Sequence, residues 1–201
     1  MIKIPLFSII PDLPAPPRWM IDYGQKLKTS GAETIQQTTK TNWLDDIVLR
    51  KGEEWSLNAT NINYVLDQSC LEWCQKNIHP KIVDARYSST RPGLPRSGPH
   101  SDRTRNFTII YLLRNGGNDH RTVFYKQKGN YPVSREPKVR VNDYSDLIEI
   151  DSLQLPLHTW VILNASVIHS VENISQGRDS IQLNIDQAPM ELPLVWNFYQ
   201  E

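Results

Sequence analysis

Two short motifs in this chain bring together side chains that can hold a cation and bind an anion. His100-Ser101-Asp102 sets an imidazole and a carboxylate two residues apart. In an extended segment positions i and i+2 share a face, so the two groups can converge on one ion. Alone the motif is weakly specific, because chance supplies roughly 0.3 copies in a chain of this composition. Arg178-Asp179-Ser180, downstream of His169, repeats the spacing with a guanidinium and a hydroxyl. Chance supplies only roughly 0.06 copies of that second combination. The turn residues Ser175-Gln176-Gly177 predict that His169 and Arg178 lie on successive antiparallel strands, a metal ligand and a cation close together. Plainer readings stay open at this point: a surface ion pair for His100 and Asp102, a hydrogen-bonded core imidazole for His169, a structural salt bridge for Arg178.

These residues need strands to position them, and the second part of the chain supplies strand-like runs. Residues 81–87, 107–113, 121–126, 147–153, 159–164, 167–172 and 178–186 are β-rich and separated by turn chemistry. Asn115-Gly116-Gly117-Asn118 predicts a hairpin. In the last run Arg178, Ser180, Gln182 and Asn184 alternate with Ile181, Leu183 and Ile185, so one face is polar and the other aliphatic. Either the polar face meets water, or it lines a cavity while the aliphatic face lies under helices. The first 80 residues read as helical in places, with Pro16-Pro17 opening one helix and a second predicted over 61–78, ended by His79-Pro80. The expected fold is mostly β, a two-sheet sandwich or jelly roll with N-terminal helices packed on one sheet. One domain is expected: a helical support over 1–80, a catalytic roll over 81–186 and a C-terminal extension over 187–201, whose Trp196-Asn197-Phe198-Tyr199 is placed to close over the mouth.

With Gly98-Pro99-His100-Ser101-Asp102, a distal His169 and Gly177-Arg178-Asp179-Ser180-Ile181, the chain resembles the 2-oxoglutarate and Fe(II)-dependent oxygenase superfamily. The likeness is greatest to the branch of plant 2-oxoglutarate oxygenases and isopenicillin N synthase, where an Arg-Tyr pair precedes the H-x-D, as Arg86-Tyr87 does here. The resemblance covers roughly residues 81–186 and implies a double-stranded β-helix. It implies His100, Asp102 and His169 as iron ligands and catalytic centre, and Arg178 and Ser180 as contacts to 2-oxoglutarate. Tyr87 is the expected further contact, with Tyr111 and Tyr125 as alternatives. O₂ is the oxidant, ascorbate is compatible, and hydroxylation with release of succinate and CO₂ is the default outcome. The chemistry agrees: two imidazoles and a carboxylate leave open positions on Fe(II), and a guanidinium matches a carboxylate with two parallel donors.

Composition bounds the remainder. In 201 residues, 39% are hydrophobic and 22% charged, and 22 basic residues balance 22 acidic ones. Zero net charge argues against nucleic acid, as does Asn184, six residues beyond Arg178, where the DNA-dealkylating branch usually has a second arginine. No apolar run is long enough to span a membrane. The N-terminus is too short and too broken by prolines for a signal peptide, and Cys70 and Cys74 read as core thiols, which together predict a cytoplasmic protein. A small-molecule or peptidyl substrate is expected, with an anionic group for the cluster Arg86, Arg91, Arg96, Arg103 and Arg105 to recruit, and with residues 88–99 and 127–146 as candidate loops around it. The oligomeric state is left open. His120 reads as an exposed loop residue and His158 as a strand-edge one. Two rivals remain: a cupin-type metalloenzyme without 2-oxoglutarate, which would normally show H-x-H and a later Glu, and a non-catalytic β-sandwich binding module.

Overall fold

Alternating burial along the strands sorts each residue to one of two faces, and that sorting builds the site. The computed structural model describes residues 3–30, 61–90, 92–96, 99–102, 105–129, 144–185, 187, 189 and 191–200. In chain order these form β1 (Lys3–Ile10), α1 (Arg18–Ser30), β2 (Asn61–Val65), α2 (Gln68–Asn77), β3 (Asp84–Thr90) and β4 (Leu94–Arg96). There follow β5 (Phe107–Asn115), β6 (Arg121–Gln127), β7 (Leu147–Leu153), β8 (Trp160–Asn164), β9 (Ile168–Ile174), β10 (Arg178–Ile185) and β11 (Asn197–Gln200). One sheet has the order β11-β1-β8-β5-β10-β3-β2 and the other β4-β9-β6-β7, both antiparallel. This is a double-stranded β-helix, as expected, with two helices among the described residues on the outside of the larger sheet. Among the described residues no helix is long and apolar enough to cross a membrane.

The space between the sheets is closed by Ile4, Leu6, Ile110, Leu112, Val161 and Leu163 of the large sheet against Phe124 of the small one. The opposite face of the large sheet packs under the helices: Ile181, Leu183 and Ile185 join Met20, Cys70 and Cys74 in one cluster. The aliphatic side of β10 therefore lies under the helices and its polar side faces the interior. Helix α1 approaches so closely that a Cβ at Gly24 would fall 2.2 Å from the Tyr87 ring. Gly24→Ala is expected to cost about 1–3 kcal/mol of stability through overpacking, measured as a lowered urea midpoint with an unchanged slope. Cys70 and Cys74 are free and buried, and burial pushes both thiols up to about 12, so they are unreactive core residues.

Several expectations change. The helix predicted over 61–78 is a strand followed by a shorter helix. Ile62, Tyr64 and Leu66 alternate toward the helices, Val65 points away with 53% exposure, and Asp67 caps α2 by accepting from Cys70 N at 3.0 Å. Asn115-Gly116-Gly117-Asn118 makes no hairpin, because β5 and β6 belong to different sheets and the turn carries the chain between them. Gly116 is required there: its φ is +91°, and a Cβ would meet Ile174 and Arg178. The aromatic C-terminus does not cap the mouth. It adds β11 to the sheet edge beside β1, with Trp196 on Phe107. His120 is buried, its ring nitrogens reaching Gly117 O at 2.8 Å and Leu155 O at 3.3 Å. His158 sits beside the start of β8 in an exposed left-handed turn with φ 57°, its N donating to Leu112 O at 2.9 Å, and His79 closes α2 as predicted.

Candidate metal centre and anion seat

His100 and His169 come together through the backbone first. His100 N donates to His169 O at 3.0 Å and His169 N to His100 O at 2.8 Å, an isolated antiparallel bridge that brings the rings to 4.7 Å. Asp102 N then donates to Ala165 O at 2.8 Å, fixing the H-x-D segment to the turn that precedes β9. Ligand atoms of His100, Asp102 and His169 all lie within 4.8 Å of one another. His169 Nδ1 is 2.9 Å from Val167 O, so Nδ1–H donates and the Nε2 lone pair is left for a metal. Burial, followed by neighbouring His100, pushes the His169 imidazole down to about 4, so it is neutral at ordinary pH. Burial raises the Asp102 carboxyl, but Arg105 and the two imidazoles outweigh this and hold it at about 2.

One oxygen of Asp102 is committed. Arg105 Nε donates to Oδ2 at 2.5 Å, while Oδ1 faces His100 Nε2 at 3.6 Å. Arg105 Nη1 also donates to Asn184 Oδ1, and Asn184 Nδ2 donates to Asp84 Oδ2 at 2.8 Å. Arg86 holds Asp84 through two contacts of 2.7 and 3.0 Å, which completes the chain of polar contacts leading from the carboxylate. Two imidazoles and a carboxylate with one oriented oxygen suit a divalent transition metal with open positions.

Arg178 has a different character. It is 6% exposed, faces the interior with Ser180, and its side chain makes no hydrogen bond or ion pair among the described residues. Burial alone lowers its guanidinium to about 10, so it remains a cation. A buried charge without a partner is strongly unfavourable, and a buried donor without one costs about 1–3 kcal/mol. Ser180 Oγ accepts from Gln182 Nε2 at 3.3 Å, so its own O–H remains free to donate. His169 and Arg178 are not on paired strands: β9 and β10 belong to opposite sheets.

Tyr87 does not reach this interior. It pairs with Ile181, not with Ser180, and lies 1% exposed among the helix-facing residues, where burial pushes its phenol up to about 12. Tyr111 packs on the same outer side against Trp160. Tyr125 is on the outside of the small sheet, hydrogen-bonded to Glu172. The inward residues of β3 are instead Asp84, Arg86, Ser88 and Thr90, opposite Asn184, Gln182, Ser180 and Arg178. Sequence reasoning missed Ser88, and only the register of β3 against β10 identifies it. Of the arginines expected to recruit substrate, Arg86 and Arg105 are paired with Asp84 and Asp102. Arg91, Arg103 and the Arg96 side chain lie outside the described residues, as does much of 127–146.

No protein-family model and no curated protein matches the chain. Among solved structures it is similar to the non-heme alpha-ketoglutarate-dependent epimerase SnoN from nogalamycin biosynthesis, with TM-score 0.50, 10% identity, and coverage of 89% of this chain and 76% of that one. A second SnoN structure, in complex with Fe3+, alpha-ketoglutarate and nogalamycin RO, gives TM-score 0.50 at 10% identity over 90% and 79%. A prolyl hydroxylase from Trichoplax adhaerens, in complex with a hypoxia inducible factor peptide, gives 0.49 at 14% over 90% and 83%. At these identities the likeness is one of fold.

Proposed function

We propose that this single-domain chain is a non-haem Fe(II), 2-oxoglutarate-dependent oxygenase that hydroxylates a small-molecule or peptidyl substrate. The observation that carries the reading is the buried Arg178 guanidinium, without a partner among the described residues, which faces the same interior as His100, Asp102 and His169. A metalloenzyme without an anionic cosubstrate leaves that cation unexplained, and so does a binding module without metal.

The residues present fit both groups. His100, His169 and Asp102 offer the two-histidine, one-carboxylate set on which iron keeps positions open for a bidentate ligand and O₂. Fe(II) with O₂ would supply the oxidation, coupled to conversion of 2-oxoglutarate to succinate and CO₂. The protein's part is positional. Val167 O orients His169, Arg105 turns one oxygen of Asp102 toward the imidazoles, and Arg178 with Ser180 anchors the far carboxylate. The apolar wall of Phe124, Ile110, Leu112 and Val161 limits water in the interior.

The test is succinate release by the purified protein with Fe(II), 2-oxoglutarate and O₂, with no added substrate. Slow turnover that requires all three supports the reading. Metal binding with neither 2-oxoglutarate binding nor succinate overturns it.

A further inference from the structure

Four buried side-chain polar atoms have no hydrogen-bond partner among the described residues: Asn63 Oδ1, Ser88 Oγ, Thr122 Oγ1 and Arg178 Nε. All four belong to inward positions. Ser88 lies opposite Ser180, which in turn lies opposite Leu112 of the interior cluster. Asn63 lies opposite Ser88 on the next strand, and Arg178 shares the face of Ser180. Thr122 is two residues from Phe124, on the face of the small sheet that also carries His169. Several buried polar groups on the outer faces have partners by contrast. Asp179 holds Lys28 and Arg114, and Tyr125 and Ser170 meet Glu172.

We propose that Asn63, Ser88 and Thr122 complete, around Arg178, the seat for the far carboxylate of the keto-diacid, so that neutral side chains from β2, β3 and β6 take the place expected of a tyrosine. This rests on the oxygenase reading above and adds to it residues that no motif marks. A carboxylate accepts along about four lone-pair directions, more than one guanidinium fills. The two unpartnered hydroxyls supply donors that bind the anion without adding charge. The Asn63 carboxamide does the same after a half-turn about χ2, which exchanges its carbonyl for its NH₂. The three side chains stand on inward faces of strands from both sheets, the faces that also carry Arg178 and His169, and a seat built from them suits the end of a small linear diacid.

The experiment measures 2-oxoglutarate affinity by calorimetry on the Mn(II)-loaded full chain, beside Mn(II) affinity and the melting temperature of the metal-free protein. Ser88→Ala and Thr122→Val are expected to weaken 2-oxoglutarate binding about 10- to 150-fold each, the worth of one hydrogen bond to a charged ligand. Asn63→Ala is expected to weaken it less than either hydroxyl variant. Mn(II) affinity stays at the parent value. The metal-free melting temperature holds or rises, because an unsatisfied polar atom has been removed from the interior, while the upward shift caused by 2-oxoglutarate shrinks. Thr122→Ser, which keeps the hydroxyl, retains parent affinity and separates a lost donor from a disturbed fold. If the parent binds 2-oxoglutarate and all three truncations bind it equally well, the seat is wrong and the oxygenase reading stands. If the Mn(II)-loaded parent does not bind 2-oxoglutarate at all, both fall together.

Discussion

Arg178→Met is expected to raise the dissociation constant for 2-oxoglutarate by about two to three orders of magnitude, the cost of removing one member of a buried charge pair. The same substitution is expected to make the metal-free protein more stable, by about 2 kcal/mol, because a desolvated cation gives way to an apolar side chain of similar length. The opposite signs follow from one fact: the guanidinium is 6% exposed and has no partner among the described residues. A structural arginine would behave otherwise, since its loss would strand a carboxylate and lower stability. Asp179, the adjacent acid, is already taken by Lys28 at 2.8 Å and Arg114 at 2.8 Å on the other face. Urea unfolding without ligand and calorimetry with Mn(II) and 2-oxoglutarate read the two effects separately. A drop in stability together with unchanged affinity would remove the central support of the proposed function. Arg178→Lys is expected to recover only part of the affinity, since an ammonium is a point charge where the guanidinium offers a fork.

The residues legible in the sequence are those whose relation is local. His100 with Asp102, and Arg178 with Ser180, are i, i+2 pairs, and strand geometry alone puts each pair on one face. The polar and aliphatic sides of β10 were readable for the same reason. Tyr87 fails because adjacency to Arg86 does not fix parity; the pairing of Ser88 with Ser180 does, and that is a relation across 92 positions. The Asn115-Gly116-Gly117-Asn118 turn fails in a related way. Its glycines set a positive φ, but φ does not say whether the next strand returns to the same sheet or crosses to the other. In the segment 61–78, Ile62 and Leu66 satisfy both a helical and a strand period, and the cap at Asp67 was the signal that divides them. His120 lies after a turn, where exposure is the ordinary outcome, yet its ring bridges carbonyls of two segments and is buried. Arg105 reads in the sequence as one of a cluster of arginines that recruit an anionic substrate. Its contact to Asn184, 79 residues away, belongs to tertiary structure and left no local trace.

That contact governs what removal of the proposed carboxylate ligand does. Asp102→Ala is expected to weaken Mn(II) or Fe(II) binding by at least about two orders of magnitude, because one of the three proposed ligands is lost. It is also expected to destabilise the metal-free fold, by about 3 kcal/mol, since Arg105 loses its 2.5 Å contact while 15% of its side chain is exposed. Loss of metal in this variant alone is therefore ambiguous between a missing ligand and a damaged fold. The double variant Asp102→Ala, Arg105→Met resolves the ambiguity. Removing the stranded cation with its partner restores most of the stability, whereas the metal affinity stays low, because no ligand has been put back. Arg105→Met by itself is expected to cost stability, because it leaves the Asp102 carboxylate buried and unpaired, and to lower metal affinity only about 10-fold, as Oδ1 is no longer held toward the imidazoles. The cycle is read by electron paramagnetic resonance of free Mn(II) and by urea midpoints at neutral pH. Full metal affinity in the stable double variant would mean that Asp102 serves Arg105 alone, and that His100 and His169 bind the ion without it.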